Sequence, residues 1–380
     1  MSRTRQILIV VLPLFLVAAV ELLFRLGAWE PVAEPRSHAG RSIEVKRSLL
    51  SASLSKLDFV TLGSSRPEYG LDHELIADAA RKHGMVHANL SMPGTHWMTI
   101  GVLSDWLEQH HPEIEGGVIA LSVQDLAWYG NGYYELGIVQ PFRTASEDAW
   151  VAAHVPFEAS KIESFGSRLA LFAWREDIRA FLSDPFSRLN RIRKKSARDE
   201  TERLFQKFEL PGNMCKWHVA TLASCDAVEA AVESLPGLRS QCSQIRTTLA
   251  SRQDYARLRR ESPEPEFMVR TRELVQGQLR SIQWPRRPIV ILMPTARIWR
   301  SDANADGLHQ WALDVLQPLA SDGTIQLIDA TNFFDSRGAE ECLYFGDFYH
   351  QSVLGRNVFS EWLIPRVSDV LYAPAQHPAP

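Results

Sequence analysis

Short apolar runs alternate with amphipathic segments in two stretches of the chain. Five runs are predicted as buried strands: 57–63, 86–91, 116–122, 287–294 and 324–331. Four segments have the apolar spacing of helices: 71–84, 95–110, 309–320 and 355–372, the last of which Pro365 is expected to kink or split. This alternation is typical of a mostly parallel sheet with helices on both faces. The pattern predicts a three-layer α/β/α domain over residues 56–372.

The middle of the chain follows a different pattern. Residues from about 140 to 285 are mostly polar with helical periodicity, and we predict that they form a mainly helical insertion into the α/β domain. The basic run RLNRIRKK at 188–195 lies within it. A solvated helix face explains this run, and so does contact with anionic lipid headgroups or an acidic polymer.

The N-terminus carries the longest apolar run. Arg3 and Arg5 precede residues 7–26, which only Glu21 and Arg25 interrupt. About 20 residues of helix cross the roughly 30 Å hydrocarbon core of a bilayer. Glu21 and Arg25 are four residues apart and can pair on one helical face. Since the positive flank comes first, we predict a single-pass anchor with a cytosolic N-terminus in a bacterial inner membrane.

The segments around this run complete the predicted organisation. Residues 1–27 form the cytosolic N-terminus and anchor, 28–55 a polar stalk, and 373–380 a disordered Pro-rich tail. A cleaved signal peptide is the alternative to the anchor, although Arg25 lies where cleavage would fall. In either case the main domain is expected on the extracytoplasmic (periplasmic) side.

Composition and cysteine content limit the possible functions. The formal net charge of −4 over 380 residues argues against a nucleic-acid-binding protein, which is usually strongly basic. Four cysteines fit an exported protein with one or two disulfides, and three of them lie close enough in sequence to favour a local bridge. Free thiols are the alternative. Metal binding is a weaker one, since no C-x-x-C occurs. The cysteines are Cys215, Cys225, Cys242 and Cys342.

A serine and an acid–imidazole pair follow predicted strands. Ser65 ends the sequence GSS directly after the first strand, where a nucleophile would lie at the carboxyl edge of the sheet, its N–H near the start of a helix. Asp347 and His350 form a D-x-x-H pair before the last helix, a spacing that lets the carboxylate orient the imidazole. Asp306 and His309 form a second such pair, for which a helix N-terminal acid is the simpler explanation.

Two further residues at the same edge can donate to an oxyanion. Gly94 follows the second strand and offers an unobstructed backbone N–H, and Gln124 follows the third strand and offers a side-chain amide. Each also fits an ordinary loop position.

The order GSS, N-x-x-x-x-G, S-V-Q-D and D-x-x-H resembles the sequence blocks of the SGNH (GDSL-like) hydrolase superfamily. The resemblance makes Ser65 the nucleophile and makes His350, which Asp347 orients, the base that takes its proton. It also makes the N–H groups of Ser65 and Gly94 oxyanion donors. Its third block, G-x-N-D, is matched loosely, with Ser122 in place of Gly and Gln124 in place of Asn. The blocks span nearly all of the exported chain except the insertion.

With an N-terminal anchor, the G-S-S block looks most like the membrane-tethered proteins of envelope-polymer acylation, such as the D-alanine transfer and alginate acetylation proteins. The resemblance implies an acyltransferase or esterase that works without a metal or cofactor on a polysaccharide or other envelope polymer. It also implies a multi-span membrane O-acyltransferase (MBOAT) as partner. Arg66 is a candidate for binding an anionic donor or polymer, and a surface salt bridge is the alternative. The alternatives are a catalytically idle binding or scaffold subunit and a plain exported esterase.

Overall fold

The structure is a computed structural model, and it describes residues 3–32, 38–51, 56–95, 97–127, 138–143, 169–195, 202–205, 208–210, 212–217, 240, 242–243, 266–297, 305–347 and 349–372. The chain divides into two compact units. The helical unit comprises residues 1–54 and 129–203, and the sheet unit comprises 55–128 and 204–380. The predicted insertion at 140–285 is therefore divided between the two units. The tail at 373–380 lies outside the described residues.

Regular elements account for most of the described chain. The helices are α1 (Arg3–Arg25), α2 (His38–Leu49), α3 (Ser65–Gly70), α4 (His73–Arg81), α5 (Trp97–His110), α6 (Val123–Ala127), α7 (Ala170–Ala173), α8 (Arg175–Ser183), α9 (Pro185–Lys195), α10 (Glu202–Phe205), α11 (Glu266–Ser281), α12 (Ala305–Ser321) and α13 (Val353–Leu371). The strands are β1 (Phe59–Gly63), β2 (His87–Asn89), β3 (Gly116–Leu121), β4 (Ile289–Leu292) and β5 (Gln326–Asp329). Turns of 3₁₀ helix lie at Glu30–Val32, Gln140–Phe142, Met214–Trp217 and Asp335–Tyr344.

The described strands form one parallel sheet in the sheet unit, in the order β2-β1-β3-β4-β5. This is the order of flavodoxin-like, doubly wound α/β folds. Each strand lies within one of the predicted apolar runs, so the prediction of a parallel α/β fold is confirmed. The three central strands β1, β3 and β4 are buried on both faces, which explains their nearly continuous apolar sequences.

Helices cover the sheet in two groups. Helix α4 packs with α13, and α11 packs with α5 and α12, as expected for two outer layers. Phe59, Val118 and Ile289 point into one buried core together with Phe359 and Leu363 of α13. The alternate residues of the same strands point to the opposite face, because side chains alternate along a strand. Two faces buried in this way account for the three layers.

The last helix was predicted to be kinked or split at Pro365. It is not split there: α13 continues through Pro365 to Leu371 as one helix. Ser352 caps its start, accepting a hydrogen bond from the N–H of Gly355 at 3.1 Å. The loop that precedes α13 therefore ends at a well-defined helix start.

The helical unit begins with α1. The predicted pairing of Glu21 and Arg25 is confirmed by a 2.7 Å contact between Glu21 Oε1 and Arg25 Nε. Within the described residues, no helix combines the length and hydropathy that a membrane crossing requires. The segment predicted as a stalk contains α2, whose Ile43 and Val45 are buried, so this part is folded rather than extended.

A disulfide joins distant parts of the sheet unit. It links Cys215, in a 3₁₀ turn, to Cys342, 127 residues later in the 3₁₀ segment after β5. The prediction of a local bridge is wrong for Cys215, because the fold brings the two 3₁₀ segments together, with Met214 N–H donating to the carbonyl of Phe345 at 2.8 Å. Cys242 is also disulfide-bonded, and Cys225 lies outside the described residues.

Candidate active site

The turn from β1 into α3 presents Ser65 at the carboxyl edge of the sheet. Gly63 makes this turn possible, since its φ is 157° and a Cβ there would lie 2.5 Å from Pro67 Cγ and would overlap the carbonyl oxygen of Ala120. Ser64 caps α3, its Oγ accepting from the N–H of Arg66 at 3.2 Å. Ser65 is thus the first residue of a short helix, partly exposed, between two buried neighbours.

The acid–imidazole pair occupies a compact loop just before α13. Oδ1 of Asp347 accepts hydrogen bonds from the backbone N–H groups of Tyr349 at 2.7 Å and His350 at 2.8 Å. His350 Nδ1 lies 3.0 Å from Oδ1 and 2.9 Å from Oδ2 of the same carboxylate. This Asx-type turn fixes the carboxylate beside the ring, and leaves Nε2 directed away from it.

Ser65, His350 and Asp347 come together as one hydrogen-bonded chain. Ser65 Oγ lies 2.8 Å from His350 Nε2, although the two residues are 285 positions apart in the sequence. Hydrogen-bond reach of about 2.6–3.2 Å is what a serine and its base require. The second D-x-x-H pair behaves differently. His309 Nε2 contacts Asp329 Oδ2 at 2.8 Å, and the side chain of Asp306 lies outside the described residues.

The charge of Asp347 is stabilised by its neighbours. Burial acts to raise the pKa of this carboxyl, but the hydrogen bonds from the ring and backbone of His350 and from Tyr349 N–H, with the charge of His350, outweigh burial and lower the pKa below its usual value. The carboxylate is therefore ionised at neutral pH, and its preferred partner is an Nδ1–H donor. With the proton on Nδ1, Nε2 of a neutral ring can accept the Ser65 proton.

The segment SVQD after β3 is a capping box. Asp125 N–H donates to Ser122 Oγ at 3.1 Å, and Ser122 N–H donates to Asp125 Oδ2 at 3.1 Å, at the start of α6. Ser64 Oγ also donates to Asp125 Oδ2, at 2.8 Å. The Asp125 carboxylate thus ties the end of β3 to the turn that carries Ser65. A serine at position 122 has a structural role that a glycine could not fill.

Arg66 takes part in the same network. It is buried, its Nε lies 3.4 Å from Asp125 Oδ2, and its guanidinium lies 5.7 Å from the centre of the Tyr349 ring. A buried arginine that pairs with Asp125 positions the two loops around Ser65. The role of Arg66 in binding an anionic donor or polymer stays a prediction.

Two of the predicted oxyanion donors, Gly94 and Gln124, follow strands that end at the same sheet edge. The loop after β2 lies beside the end of β1, because Met92 N–H donates to the carbonyl of Gly63 at 2.9 Å. Gly94, two residues further on, has a φ of 75°, which favours glycine. Gln124 lies in the first turn of α6, and its side chain is outside the described part of the chain.

An aromatic residue next to the imidazole was missed in the sequence. Tyr69 meets His350 edge-on, with 5.1 Å between ring centres, and is itself 6.2 Å from the Phe208 ring. Arg356, buried in α13, donates to the carbonyl of Phe208 at 2.9 Å. The sequence feature that could have indicated Tyr69 is its position four residues after Ser65, because this spacing places both residues on one face of a helix.

The strand order of the sheet explains why these groups meet at its carboxyl edge. β1 lies between β2 and β3, so the strand order reverses beside β1, and in open α/β sheets ligands bind outside the carboxyl ends of strands at such a point. A serine held against an oriented imidazole is suited to nucleophilic attack on an acyl carbonyl. Within the described ranges, no group of three or more His, Cys, Asp or Glu side chains is placed to bind a metal ion.

No protein-family model matches this chain, and no curated protein is significantly similar to it.

Proposed function

We propose that this protein is a membrane-anchored serine acyltransferase or esterase of the SGNH type. It would act on O-acyl groups of an extracytoplasmic polysaccharide or other envelope polymer through an acyl-Ser65 intermediate. The observation that carries this proposal is the chain from Ser65 Oγ through His350 to Asp347, with contacts of 2.8 Å and 2.9 Å. A serine with a purely structural role does not require a neighbouring imidazole that a carboxylate orients.

The proposed reaction has two halves. His350 Nε2 takes the proton of Ser65 as Oγ attacks the acyl carbonyl, and the bond to the leaving oxygen or sulfur breaks as His350 returns the proton to it. A sugar hydroxyl or water then attacks the acyl-serine, His350 accepting its proton and passing it to Ser65. The N–H groups of Ser65 and Gly94 and the Gln124 amide are the proposed oxyanion donors, each worth about 2.7–4 kcal/mol.

We also propose that α1 is the membrane anchor predicted from the sequence. Its support is a set of large apolar side chains that α1 exposes: Ile9, Val11, Leu12, Leu14, Phe15, Leu16, Val17, Val20, Leu22 and Leu23. Exposed apolar surface of this extent on one helix indicates a lipid or protein environment. A multi-span O-acyltransferase in the same membrane would supply the acyl group from the cytosolic side.

The alternative is a catalytically idle binding or scaffold subunit, and the observation in its favour is the altered third block. The capping box formed by Ser122 and Asp125 weakens this alternative. Ser122 holds Asp125 in place, and the Asp125 carboxylate accepts from Ser64 in the turn that carries Ser65. The two functions make opposite predictions for covalent labelling.

The test uses the full chain in detergent or nanodiscs. A serine-directed phosphonate probe is expected to label the wild type at Ser65, and hydrolysis of an aryl acetate is expected to fall by about 10³-fold or more in Ser65→Ala. Ser281→Ala is the matched control, since Ser281 is an exposed serine at the end of α11 whose Oγ donates to the carbonyl of Gln278.

Unchanged turnover in Ser65→Ala would remove this residue from the mechanism. Absence of labelling in a folded wild-type protein would favour the scaffold function. An acyl-Ser65 adduct that is discharged faster by an oligosaccharide than by water would identify transfer over simple hydrolysis.

A further inference from the structure

Two large apolar side chains project from the helical unit at the junction of α8 and α9. Leu182 is 72% exposed and Phe186 is 86% exposed. They are four residues apart and flank the short turn at Ser183–Asp184. Transfer of two such side chains out of water is favourable, so this apolar tip is unfavourable on a surface that faces only water.

The helices that carry this tip are joined rigidly. Arg188 of α9 donates to Asp177 of α8 twice, from Nη1 to the backbone carbonyl at 3.0 Å and from Nη2 to Oδ1 at 2.9 Å. Both side chains are buried, so separating the two helices would leave a buried charge without its partner. The exposure of Leu182 and Phe186 is therefore imposed by the packing of the hairpin formed by α8 and α9.

The charge of the hairpin is strongly positive. Residues 175–195 contain seven Lys and Arg and three Asp and Glu, whereas the whole chain has a net charge of −4. Helix α9 has no acidic residue, and Arg191 and Arg193 are exposed on it. An apolar tip beside basic side chains is the pattern of surfaces that dock on anionic bilayers.

The hairpin is also fixed next to the outer end of α1. Glu21 of α1 accepts hydrogen bonds from the N–H groups of Ala170 and Leu171, at 2.8 Å and 2.9 Å, at the start of α7. Trp29 contacts Trp174 and Phe181, with ring centres 6.3 Å and 5.5 Å apart. Trp29 is three residues beyond Leu26, so it lies within about 10 Å of the predicted end of the anchor.

We propose that this hairpin is a membrane-docking element that inserts Leu182 and Phe186 into the headgroup region and binds anionic lipid through its arginines. The bilayer is favoured over an acidic polymer because a polyanion alone would not cover the apolar tip. Each basic residue near an anionic membrane strengthens binding by about fivefold. This inference rests on the proposed anchoring by α1, and two independent measurements separate the two ideas.

The test places the full chain in phosphatidylcholine vesicles, with or without phosphatidylglycerol, that contain a lipid with a photoreactive group near the headgroup. Mass spectrometry is expected to find adducts on the peptide around Leu182 and Phe186, several-fold more abundant with phosphatidylglycerol. Leu182→Ser with Phe186→Ser should abolish the adducts, and Arg191→Glu with Arg193→Glu should remove the phosphatidylglycerol dependence. Leu50→Ser is the control, since Leu50 is an exposed leucine of the helical unit just after α2.

Resistance to alkaline carbonate extraction measures the anchor alone. A chain that resists extraction but gives no adduct at the hairpin keeps the anchor and overturns the docking proposal. A chain that is extracted yet still gives the adducts overturns the anchor and supports docking. If the hairpin gives no adduct and the same arginines bind an acidic polysaccharide, the surface serves a polymer and the docking proposal is wrong.

Discussion

Replacing Asp347 by Asn tests the proposed mechanism more sharply than removing the nucleophile. Oδ1 of Asp347 accepts two backbone N–H groups, from Tyr349 and His350, at 2.7 Å and 2.8 Å. In an asparagine only the carbonyl oxygen can accept them, so the amide nitrogen must take the place of Oδ2, which lies 2.9 Å from His350 Nδ1. The shape of the loop is kept and one acceptor becomes a donor.

This substitution changes which nitrogen of the His350 ring carries the proton. Facing an N–H₂ group, Nδ1 of a neutral ring is favoured as an acceptor, and the ring proton moves to Nε2. Nε2 then donates to Ser65 Oγ and cannot take its proton. The same change in a serine protease triad lowers kcat about 10⁴-fold, which corresponds to about 5.5 kcal/mol of barrier.

The expected result is a loss of aryl acetate hydrolysis of about 10³–10⁴-fold with a small change in KM. Nitrogen NMR shifts of the His350 ring should show the proton on Nδ1 in the wild type and on Nε2 in Asp347→Asn. Asp369→Asn, an exposed aspartate of α13, is the matched control and should be as active as the wild type. Activity of Asp347→Asn within tenfold of wild type, with an unchanged tautomer, would refute the assigned role of Asp347.

Three further predictions concern the scaffold around the site. Cys342→Ser should lower the free energy of unfolding by up to about 5 kcal/mol, measured by urea denaturation, because the disulfide to Cys215 closes 127 residues. Tyr69→Ala should lower kcat about five- to tenfold with little change in KM, because the ring that contacts His350 is lost, whereas Tyr69→Phe should retain activity. Burial and the charge of His73 lower the pKa of His87 to about 3, so below pH 6.5 the unfolded chain binds a proton that the folded chain does not. Stability should then fall by about 1.4 kcal/mol per pH unit as the pH drops from about 6 towards 3, less steeply in His87→Gln.

Each of these predictions has a contrary outcome. Equal stability of wild type and Cys342→Ser under oxidising conditions would mean that the bridge does not constrain the unfolded chain. Equal losses in Tyr69→Ala and Tyr69→Phe would point to the hydroxyl rather than the ring. The same acid profile in wild type and His87→Gln would assign the proton uptake to other groups.

Burial explains which parts of the fold the sequence reveals. The central strands β1, β3 and β4 are covered on both faces, so their sequences are continuous apolar runs that stand out from the helices between them. Helix α2 was missed since Ile43, Val45 and Leu49 are too sparse among polar neighbours to show a helical stripe. These three side chains are buried by packing within the helical unit, and a local sequence pattern does not reveal such packing.

The same distinction applies to the candidate site. Ser65 could be selected from the sequence because it directly follows a strand, and Asp347 and His350 because they form a D-x-x-H pair just before the last helix. The role of Asp125 could not, because its contact with Ser64 spans 61 residues and depends on β1 and β3 being neighbours. The ion pair of Arg66 could not be located either, because sequence alone does not show that its guanidinium is buried beside Asp125.

The 285-residue separation of Ser65 and His350 also bears on how the protein is made. Ser65 is synthesised well before His350, which lies just before α13. A growing chain that has not reached His350 contains Ser65 without its imidazole partner, and the proposed nucleophile gains its base only after the residues between the two have been synthesised and have folded. On the proposed mechanism, chains that end before His350 would carry Ser65 as an ordinary hydroxyl with no activity towards acyl esters.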